Sequence, residues 1–399
     1  MSMPEGRKHA AVVVLGHVVF IALAVLSVKH AVLRMTYGDT AYQLVKWILD
    51  PGISIEAHRY TALLPQLAVS AAMLVGADLH TLIVIGSISH VLVPYAVFLL
   101  CAHGWRAPLS ALGCALAAVL CSRFTFYSPV LEANYLLCYP FLLFGFVERR
   151  ARDQDWSTWR SLQAIALLLV PLIVHPAGWL VMLFGVVFQS VRHRMPVPSF
   201  IPLLLITVSW PLVARLIFPP TAYETGLYEA AFTNLSGSDG ARGWASLGFL
   251  RMHTGGVSFT YVPALVLWIL VVMGFIALKQ YRSGLLAFAG PVAFVGVFVI
   301  AFAQGDAGIM LDRGILPVAT ILALCVVHVH DALPSGRWRQ VATFILTATL
   351  FLKLRDVSFG SRPFRDRDSA IAALIADAQA QHIVWGIVPT DDPRTKAIG

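Results

Sequence analysis

Apolar runs of about 15 to 25 residues recur along nearly the whole chain, separated by short polar connections. Runs of this length match the roughly 20 residues that a helix needs to cross the hydrocarbon core of a bilayer. Strands of a membrane β-barrel would instead alternate apolar and polar residues over short segments. The pattern therefore predicts an all-α, polytopic helical membrane protein.

Composition supports this interpretation. Hydrophobic residues make up 58% of the 399 positions and charged residues only 13%, whereas soluble domains carry roughly 25% charged residues. The formal charge of +8 comes largely from Lys and Arg in short connections, where they orient a membrane protein and require no nucleic-acid partner. The five cysteines lie in or at the ends of apolar runs without metal-ligand spacing, which predicts neither disulfides nor a zinc site.

Positively charged connections predict the topology. The first apolar run, about Ala10 to His30, follows Arg7 and Lys8, which indicates an uncleaved span with its N-terminus inside. The basic strings at 148–160, 192–194, 279–282 and 337–339 are then expected on the cytoplasmic side. The number of crossings between these strings must leave each of them inside. Residues 61–76 are therefore expected to form an outer juxtamembrane helix, and residues 161–191 a hairpin of two short helices that is broken at "HPAG".

These assignments predict about 11 transmembrane helices plus the outer juxtamembrane helix. The transmembrane domain extends over 1–355, with outer loops at 31–60 and 218–256. A returning crossing is expected to begin near Ala133, with Glu132 beside its start, and a late helix near residue 313. The polar tail, 356–399, is expected at the outer face as a small helix–strand appendage.

With this topology, the polar groups that can perform chemistry collect on the outer side: Asp39, His58, Arg59, Glu132, His175, Asp312 and Arg313. A carboxylate can act as a general base or bind a metal ion, and Arg or His can hold a lipid phosphate. Simpler explanations exist for each, since Asp39 fits a solvated loop and Glu132 a helix start. Arg59 fits an interfacial anchor, and Asp312 and Arg313 fit a local ion pair.

The order of these strings resembles the GT-C superfamily of integral membrane glycosyltransferases, in the branch of protein mannosyltransferases and aminoarabinose transferases. "GDTAY" is similar to an acidic first-loop motif and supplies Asp39 and Tyr42, although Thr40 replaces a second acid. "HRYTALLPQL" resembles a basic, proline-containing juxtamembrane helix. "SPVLEANY", "VHPAG" and "RGILP" resemble a second outer acid, a helix-hairpin tip and a string that opens a late helix.

The resemblance implies a GT-C-like fold and transfer of a sugar from a polyprenyl-phosphate-linked donor to an envelope acceptor, whether glycan, lipid or protein. The reaction would occur at the outer face of the cytoplasmic membrane. Asp39 would be the catalytic base and Glu132 a second catalytic carboxylate, while substrate binding would involve Tyr42, His58, Arg59, His175 and Arg313. One loop carboxylate supplies too few ligands to predict a metal site, so dependence on a divalent ion stays open.

Two other classes of function remain open. A transporter or flippase would be expected to show two related halves with broken helices near the midplane, and no internal repeat is evident. A non-catalytic subunit of an envelope-glycan assembly complex would not need Asp39 or Arg59 for sugar transfer. An O-antigen ligase or polymerase of the same general fold ranks lower, because the large loop follows about the seventh crossing and has few basic residues.

Overall fold

A computed structural model describes the backbone of residues 5–50, 55, 60, 63–123, 125–154, 156–193, 195–221, 225–226, 229–230, 232–233, 261–301, 307–334 and 336–380. Side chains are described from residue 11 onward, apart from those of 298–314 and 378–379. Within these ranges the regular structure is entirely helical. The all-α prediction is therefore confirmed for the described residues.

The helices follow one another with short connections. In chain order they are α1 (Glu5–Lys29), α2 (Ala31–Met35), α3 (Gly38–Leu49), α4 (Leu63–Leu74), α5 (Leu79–Leu99), α6 (Pro108–Leu120), α7 (Pro140–Asp153), α8 (Thr158–Val174), α9 (Gly178–His193), α10 (Val197–Ile217), α11 (Val262–Ala277), α12 (Tyr281–Ala301), α13 (Ala307–Ala332), α14 (Arg337–Phe359) and α15 (Arg362–Ala380). A π-helical turn, Leu100–Gly104, extends α5, and 3₁₀ helices lie at Thr125–Tyr127 and Glu132–Leu137.

Four stretches within the described residues are long and apolar enough to cross a membrane by length and composition. They are Ala11–Lys29, Leu79–Gly104, Val197–Ile217 and Ile315–Ala332. Shorter apolar helices accompany them, including α6, α8 and α11. The chain is therefore a membrane protein. Many exposed side chains on these helices are large and apolar, as expected for surfaces that face lipid.

Helix α6 forms the centre of the bundle. It contacts α1, α5, α7, α13 and α14, and each of its residues except Leu109 is buried. Its sequence, "PLSALGCALAAVL", is rich in small residues, which let neighbouring backbones approach closely. A Cβ at Gly113 would overlap the ring of Phe141, so only glycine permits this contact with α7. A helix that is apolar on every side lies either in a protein core or in lipid, and the burial of α6 shows that it belongs to the core.

The sequence dictates several helix boundaries. Pro108 and Pro140 stand in the first turns of α6 and α7, where the missing proline N–H costs no hydrogen bond. The Asp78 side chain accepts a hydrogen bond from the Thr81 backbone N–H at 2.7 Å and caps α5. Helix α8 ends at Val174 because His175 precedes Pro176 and adopts an extended conformation. The predicted break at "HPAG" therefore occurs between α8 and α9.

Two boundary predictions are wrong. The returning helix begins at Pro140 instead of near Ala133, because residues 132–137 form a separate 3₁₀ helix. Arg313 does not open a helix, since α13 begins six residues earlier at Ala307. The tail begins its helix at Arg362, and its expected strand falls on residues outside the described ranges. The juxtamembrane segment contains α4, a helix of 12 residues that extends about 18 Å.

Candidate functional site

The two ends of the bundle carry different polar clusters. We call the "Arg34 end" the end formed by the C-terminus of α1, by α2 and by residues 121–139. We call the "Glu148 end" the end formed by the start of α6 and the end of α7. At the Arg34 end, the Tyr127 hydroxyl donates to the Val357 carbonyl of α14 at 3.1 Å. Thr320 of α13 donates to the Leu136 carbonyl at 2.7 Å.

Arg34 is the central polar residue of its end. Helix α1 stops at Lys29, and the short helix α2 turns Arg34 into the bundle, where only 1% of the residue is exposed. Its Nε donates to the Ser87 hydroxyl at 2.8 Å, and its Nη2 donates to the Ser87 carbonyl at 3.2 Å. Its Nη1 donates to the Phe126 carbonyl, and the guanidinium lies 3.8 Å above the Phe126 ring centroid.

Arg34 has no carboxylate partner among the residues that the structure describes. Its partners are a hydroxyl, two carbonyls and an aromatic ring, which carry only partial charges. Burial lowers the pKa of the Arg34 guanidinium, but an arginine remains protonated in proteins. Burying a charge without a counter-charge costs several kcal/mol, so this arrangement favours binding of an anion.

The neighbourhood of Arg34 is electropositive. Burial and then the charges of Lys29, Arg365 and Arg34 lower the pKa of His30, the residue between α1 and α2. His30 is 6% exposed and contacts the ring of Tyr127 at 5.7 Å between centroids. Each of these cations makes a second positive charge harder to accommodate and a negative charge easier.

His90 lies one turn after Ser87 on α5 and is 7% exposed. Its Nδ1 is hydrogen-bonded to the Tyr135 hydroxyl at 2.6 Å. Its Nε2 is buried and has no hydrogen-bond partner within the described part of the chain. A buried ring nitrogen without a partner is costly, which indicates that water or a ligand completes this contact.

A cavity of about 60 Å³ lies against these side chains. A volume of this size holds about four water molecules, or one small anionic group. Its polar lining comes from α2, α5 and the segment that follows α6: Arg34, His90, Ser122, Thr125, Asn134 and Tyr135. The Asn134 amide donates to the carbonyls of Thr125 at 3.2 Å and Ser128 at 3.1 Å, so it holds the loop that shapes the cavity. The cavity combines a fixed cation with hydrogen-bonding groups and an otherwise apolar wall.

The predicted catalytic acids lie in different environments. Asp39 is exposed in the first turn of α3 and does not line the cavity. Tyr42 is also exposed, whereas Thr40 and Gln43 point into the packing between α3 and its neighbours. Glu132 is half-buried and stands in the 3₁₀ helix that supplies Asn134 and Tyr135 to the cavity. The structure therefore associates Glu132 with the lining segment and keeps Asp39 outside it.

His175 has a local structural role. Its Nδ1 accepts a hydrogen bond from the Ala177 N–H at 3.0 Å, and its carbonyl accepts one from Gly178 at 2.7 Å. These bonds close the turn between α8 and α9, and His175 does not line the cavity. His58 and Arg59 lie outside the described residues, and only the backbone of Arg313 is described.

Sequence reasoning missed Arg34, His90 and Tyr135. A signal was present for two of them, because Arg34 stands alone in the apolar string "HAVLRMTY" and His90 lies within a predicted span. An ionisable residue within or beside a membrane span is a functional candidate by default. Tyr135 carried no such signal, since tyrosine is common near membrane interfaces.

The Glu148 end also buries an ionisable group, and there the chain compensates it. Glu148 is 4% exposed and accepts hydrogen bonds from the Leu109 N–H at 3.2 Å and from the Ser110 N–H at 2.9 Å. The Ser110 hydroxyl donates at 2.8 Å, and Arg152 lies 3.4 Å away. Leu109 and Ser110 are in the first turn of α6, where free N–H groups attract an anion.

No group of three or more His, Cys, Asp or Glu side chains forms a metal cluster among the residues that the structure describes. Comparisons with models of protein families, with curated proteins and with solved structures find no match for this chain. The functional assignment therefore depends on the sequence pattern and on the geometry of the Arg34 end.

Proposed function

We propose that this protein is a GT-C-type membrane glycosyltransferase. It transfers a sugar from a polyprenyl-phosphate-linked donor to an acceptor in the cell envelope. The observation that carries this proposal is Arg34, a buried cation without a carboxylate partner in the described residues, beside a cavity with hydrogen-bonding groups. A lipid phosphate supplies the missing negative charge and carries an apolar chain that suits a membrane-embedded protein.

The transfer reaction needs charge stabilisation at the leaving group. A hydroxyl oxygen of the acceptor attacks the anomeric carbon of the sugar, and the bond from that carbon to the phosphate oxygen breaks. The phosphate departs with the bonding electrons, and Arg34 stabilises this charge from a fixed position in a low-dielectric site. The acceptor proton passes to a carboxylate, either Asp39, which the sequence motif favours, or Glu132, whose 3₁₀ helix supplies two residues of the cavity.

The arrangement of helices supports the finer topology in this proposal. Counting α1 and α5–α14 as crossings gives the predicted eleven, with α2–α4 on one side of the membrane. Crossings that alternate in direction would bring the basic connections together at the Glu148 end. In support of this, Arg149 and Arg152 donate to the carbonyls of Trp105 and Arg106, and Arg192 contacts Gln280. The positive-inside rule favours the cytoplasm for such connections, which supports an outer position for the Arg34 end in this proposal.

Envelope analysis in cells tests the activity. Cells in which the chain carries Arg34→Gln should accumulate one polyprenyl-phosphate-linked sugar and should lose the same sugar from an envelope product. Mass spectrometry of the lipid and envelope fractions measures both changes. Arg152→Gln at the Glu148 end is the matched control and should leave both fractions unchanged. Unaltered lipid and envelope sugars in the Arg34→Gln strain, at normal protein level, would contradict the proposal.

Cysteine labelling tests the orientation. The five native cysteines are buried, so background labelling is low. Thr36 and Ser157 are exposed at the Arg34 and Glu148 ends, respectively. A membrane-impermeant thiol reagent should label Thr36→Cys in intact cells and Ser157→Cys only after the membrane is opened. The reverse pattern would put the Arg34 end in the cytoplasm and exclude an outer active site.

A further inference from the structure

Two histidines meet at the side of the bundle away from Arg34. His17 comes from α1, and His103 comes from the π-helical turn that follows α5. Their Nε2 atoms lie 3.4 Å apart, and the two rings are stacked with centroids 5.6 Å apart. A π-helical turn inside or after an α-helix is uncommon and often occurs at functional sites. Here it brings His103 to face a residue 86 positions earlier in the chain.

Two imidazole nitrogens that face each other cannot both present bare lone pairs without repulsion, so a proton that one ring donates to the other, or a bound cation, must lie between them. One possibility is a proton on one of the nitrogens. The other is a metal ion, since Zn–N bonds of about 2.0–2.1 Å at a tetrahedral angle separate two ligand nitrogens by about 3.3–3.4 Å. The 3.4 Å separation of the two Nε2 atoms equals this spacing.

The His17 ring is held in a fixed orientation. Its Nδ1 is hydrogen-bonded to the Tyr95 hydroxyl at 2.8 Å, which leaves Nε2 directed at His103. The rings of Tyr95 and Phe98 contact it edge to face, with centroids 5.8 and 5.2 Å away. A hydrogen bond to the far nitrogen is the usual way in which proteins orient a metal-binding histidine.

His103 is exposed, so solvent reaches the space beside the two nitrogens. No third His, Cys, Asp or Glu joins them as a cluster in the described ranges. Water would therefore complete the coordination of an ion, which is the arrangement of an open site rather than of a closed structural one.

We infer that His17 and His103 form a two-histidine site for a first-row transition-metal ion such as Zn²⁺, in which Tyr95 orients His17. Imidazole nitrogen suits zinc, copper and nickel, whereas magnesium and calcium prefer oxygen ligands. The site does not depend on the proposed transfer reaction, and it is separate from the cavity beside Arg34.

Calorimetric titration of the full chain with Zn²⁺, after removal of any affinity tag, tests this inference in detergent micelles. One ion per chain should bind. His103→Gln and His17→Gln should each abolish this binding, and thermal unfolding verifies that both variants remain folded. Tyr95→Phe should weaken binding about 10–100-fold, as expected for loss of an orienting partner. His80→Gln, which removes another exposed histidine of α5, is the matched control and should bind like the wild type.

Absorption spectra of the Co²⁺-loaded chain give a second readout, because nitrogen ligation changes the metal's visible bands. These bands should be present in the wild type and absent from His103→Gln. Absence of Zn²⁺ binding by the wild type would overturn the inference and leave a hydrogen-bonded histidine pair. Undiminished binding by a folded His103→Gln variant would also overturn it, because the metal would then bind elsewhere. Mg²⁺ should not compete.

Discussion

Glu148 at one end of the bundle and Arg34 at the other are both almost completely buried, but of these two side chains only Glu148 has an oppositely charged partner within the described residues. Glu148 receives three hydrogen bonds from the first turn of α6 and lies beside Arg152. Arg34 donates hydrogen bonds to a hydroxyl and two carbonyls and lies over an aromatic ring, and a cavity lies beside it. A compensated buried charge stabilises the contact between two helices. A buried charge left without a counter-charge favours a ligand, which is why we propose that the Arg34 end binds one.

The largest effect is expected for Asp39→Asn at the Arg34 end. The amide keeps the size of the side chain but cannot accept the proton of the acceptor hydroxyl. If Asp39 is the general base, sugar transfer should fall by about 10²–10⁴-fold while donor binding stays near normal. Asp39→Glu should recover only part of the rate, since one methylene displaces the carboxylate by about an ångström. The measurement is the rate of sugar transfer by each variant with the donor that has been identified in cells.

Glu132→Gln and Glu148→Gln are the matched controls, one at each end of the bundle. Glu132→Gln should reduce transfer less than Asp39→Asn, and Glu148→Gln should leave the chemistry intact. A fully active Asp39→Asn variant together with an inactive Glu132→Gln variant would move the catalytic assignment to Glu132, which shares its 3₁₀ helix with two cavity residues. Full activity of both variants would contradict the glycosyltransferase proposal.

The next effect concerns the geometry of the cation. Arg34→Lys keeps one positive charge but loses the planar fork that contacts Ser87 and Phe126. Each charged hydrogen bond contributes roughly 1.5–3 kcal/mol, so transfer should fall about ten- to hundredfold. Arg152→Lys should have no such effect, since Arg152 is exposed. Wild-type kinetics for Arg34→Lys would show that only charge matters at this position.

The smallest effects concern stability, and they should differ between the ends. Glu148→Ala leaves two backbone N–H groups and the Ser110 hydroxyl of α6 without their acceptor, which should lower the free energy of unfolding by about 2–4 kcal/mol. Arg34→Met removes three hydrogen bonds but also removes an uncompensated charge, so its change should stay within about 1 kcal/mol. Denaturant unfolding in micelles compares the two variants. Equal destabilisation by the two variants would contradict the claim that Glu148 is compensated within the bundle and Arg34 is not.

Hydrophobic periodicity predicted most of the helical architecture. The break at "HPAG" followed from the position of the proline, and the juxtamembrane helix that contains α4 followed from the side assigned to the basic strings. The start of α7 was missed because the helix was expected to begin beside Glu132, whereas tertiary contacts select a separate 3₁₀ helix over residues 132–137. Arg313 was assigned to a helix start because "RGILP" resembles a string that opens a late helix, yet α13 begins earlier and continues through Pro317.

The candidate site was less predictable. Asp39 and Glu132 were chosen as acids in outer loops, but sequence does not reveal which side chains share a cavity. Ser87 and Phe126 lie 53 and 92 positions after Arg34 in the sequence, so only folding brings the three residues together. The absence of a carboxylate beside Arg34 in the described residues is likewise a property of packing. Single charged residues in apolar strings are the signal to weigh more heavily in such chains.

The most direct test of the account compares two lipids that differ only in the phosphate. Binding of a polyprenyl phosphate and of the matching polyprenol should be measured on purified wild type and on Arg34→Gln. The account predicts that the wild type prefers the phosphorylated lipid at least about tenfold, as one charged hydrogen bond would give, and that Arg34→Gln loses this preference. Equal binding of both lipids by the wild type, or an unchanged preference in Arg34→Gln, would contradict the claim that a lipid phosphate supplies the missing charge.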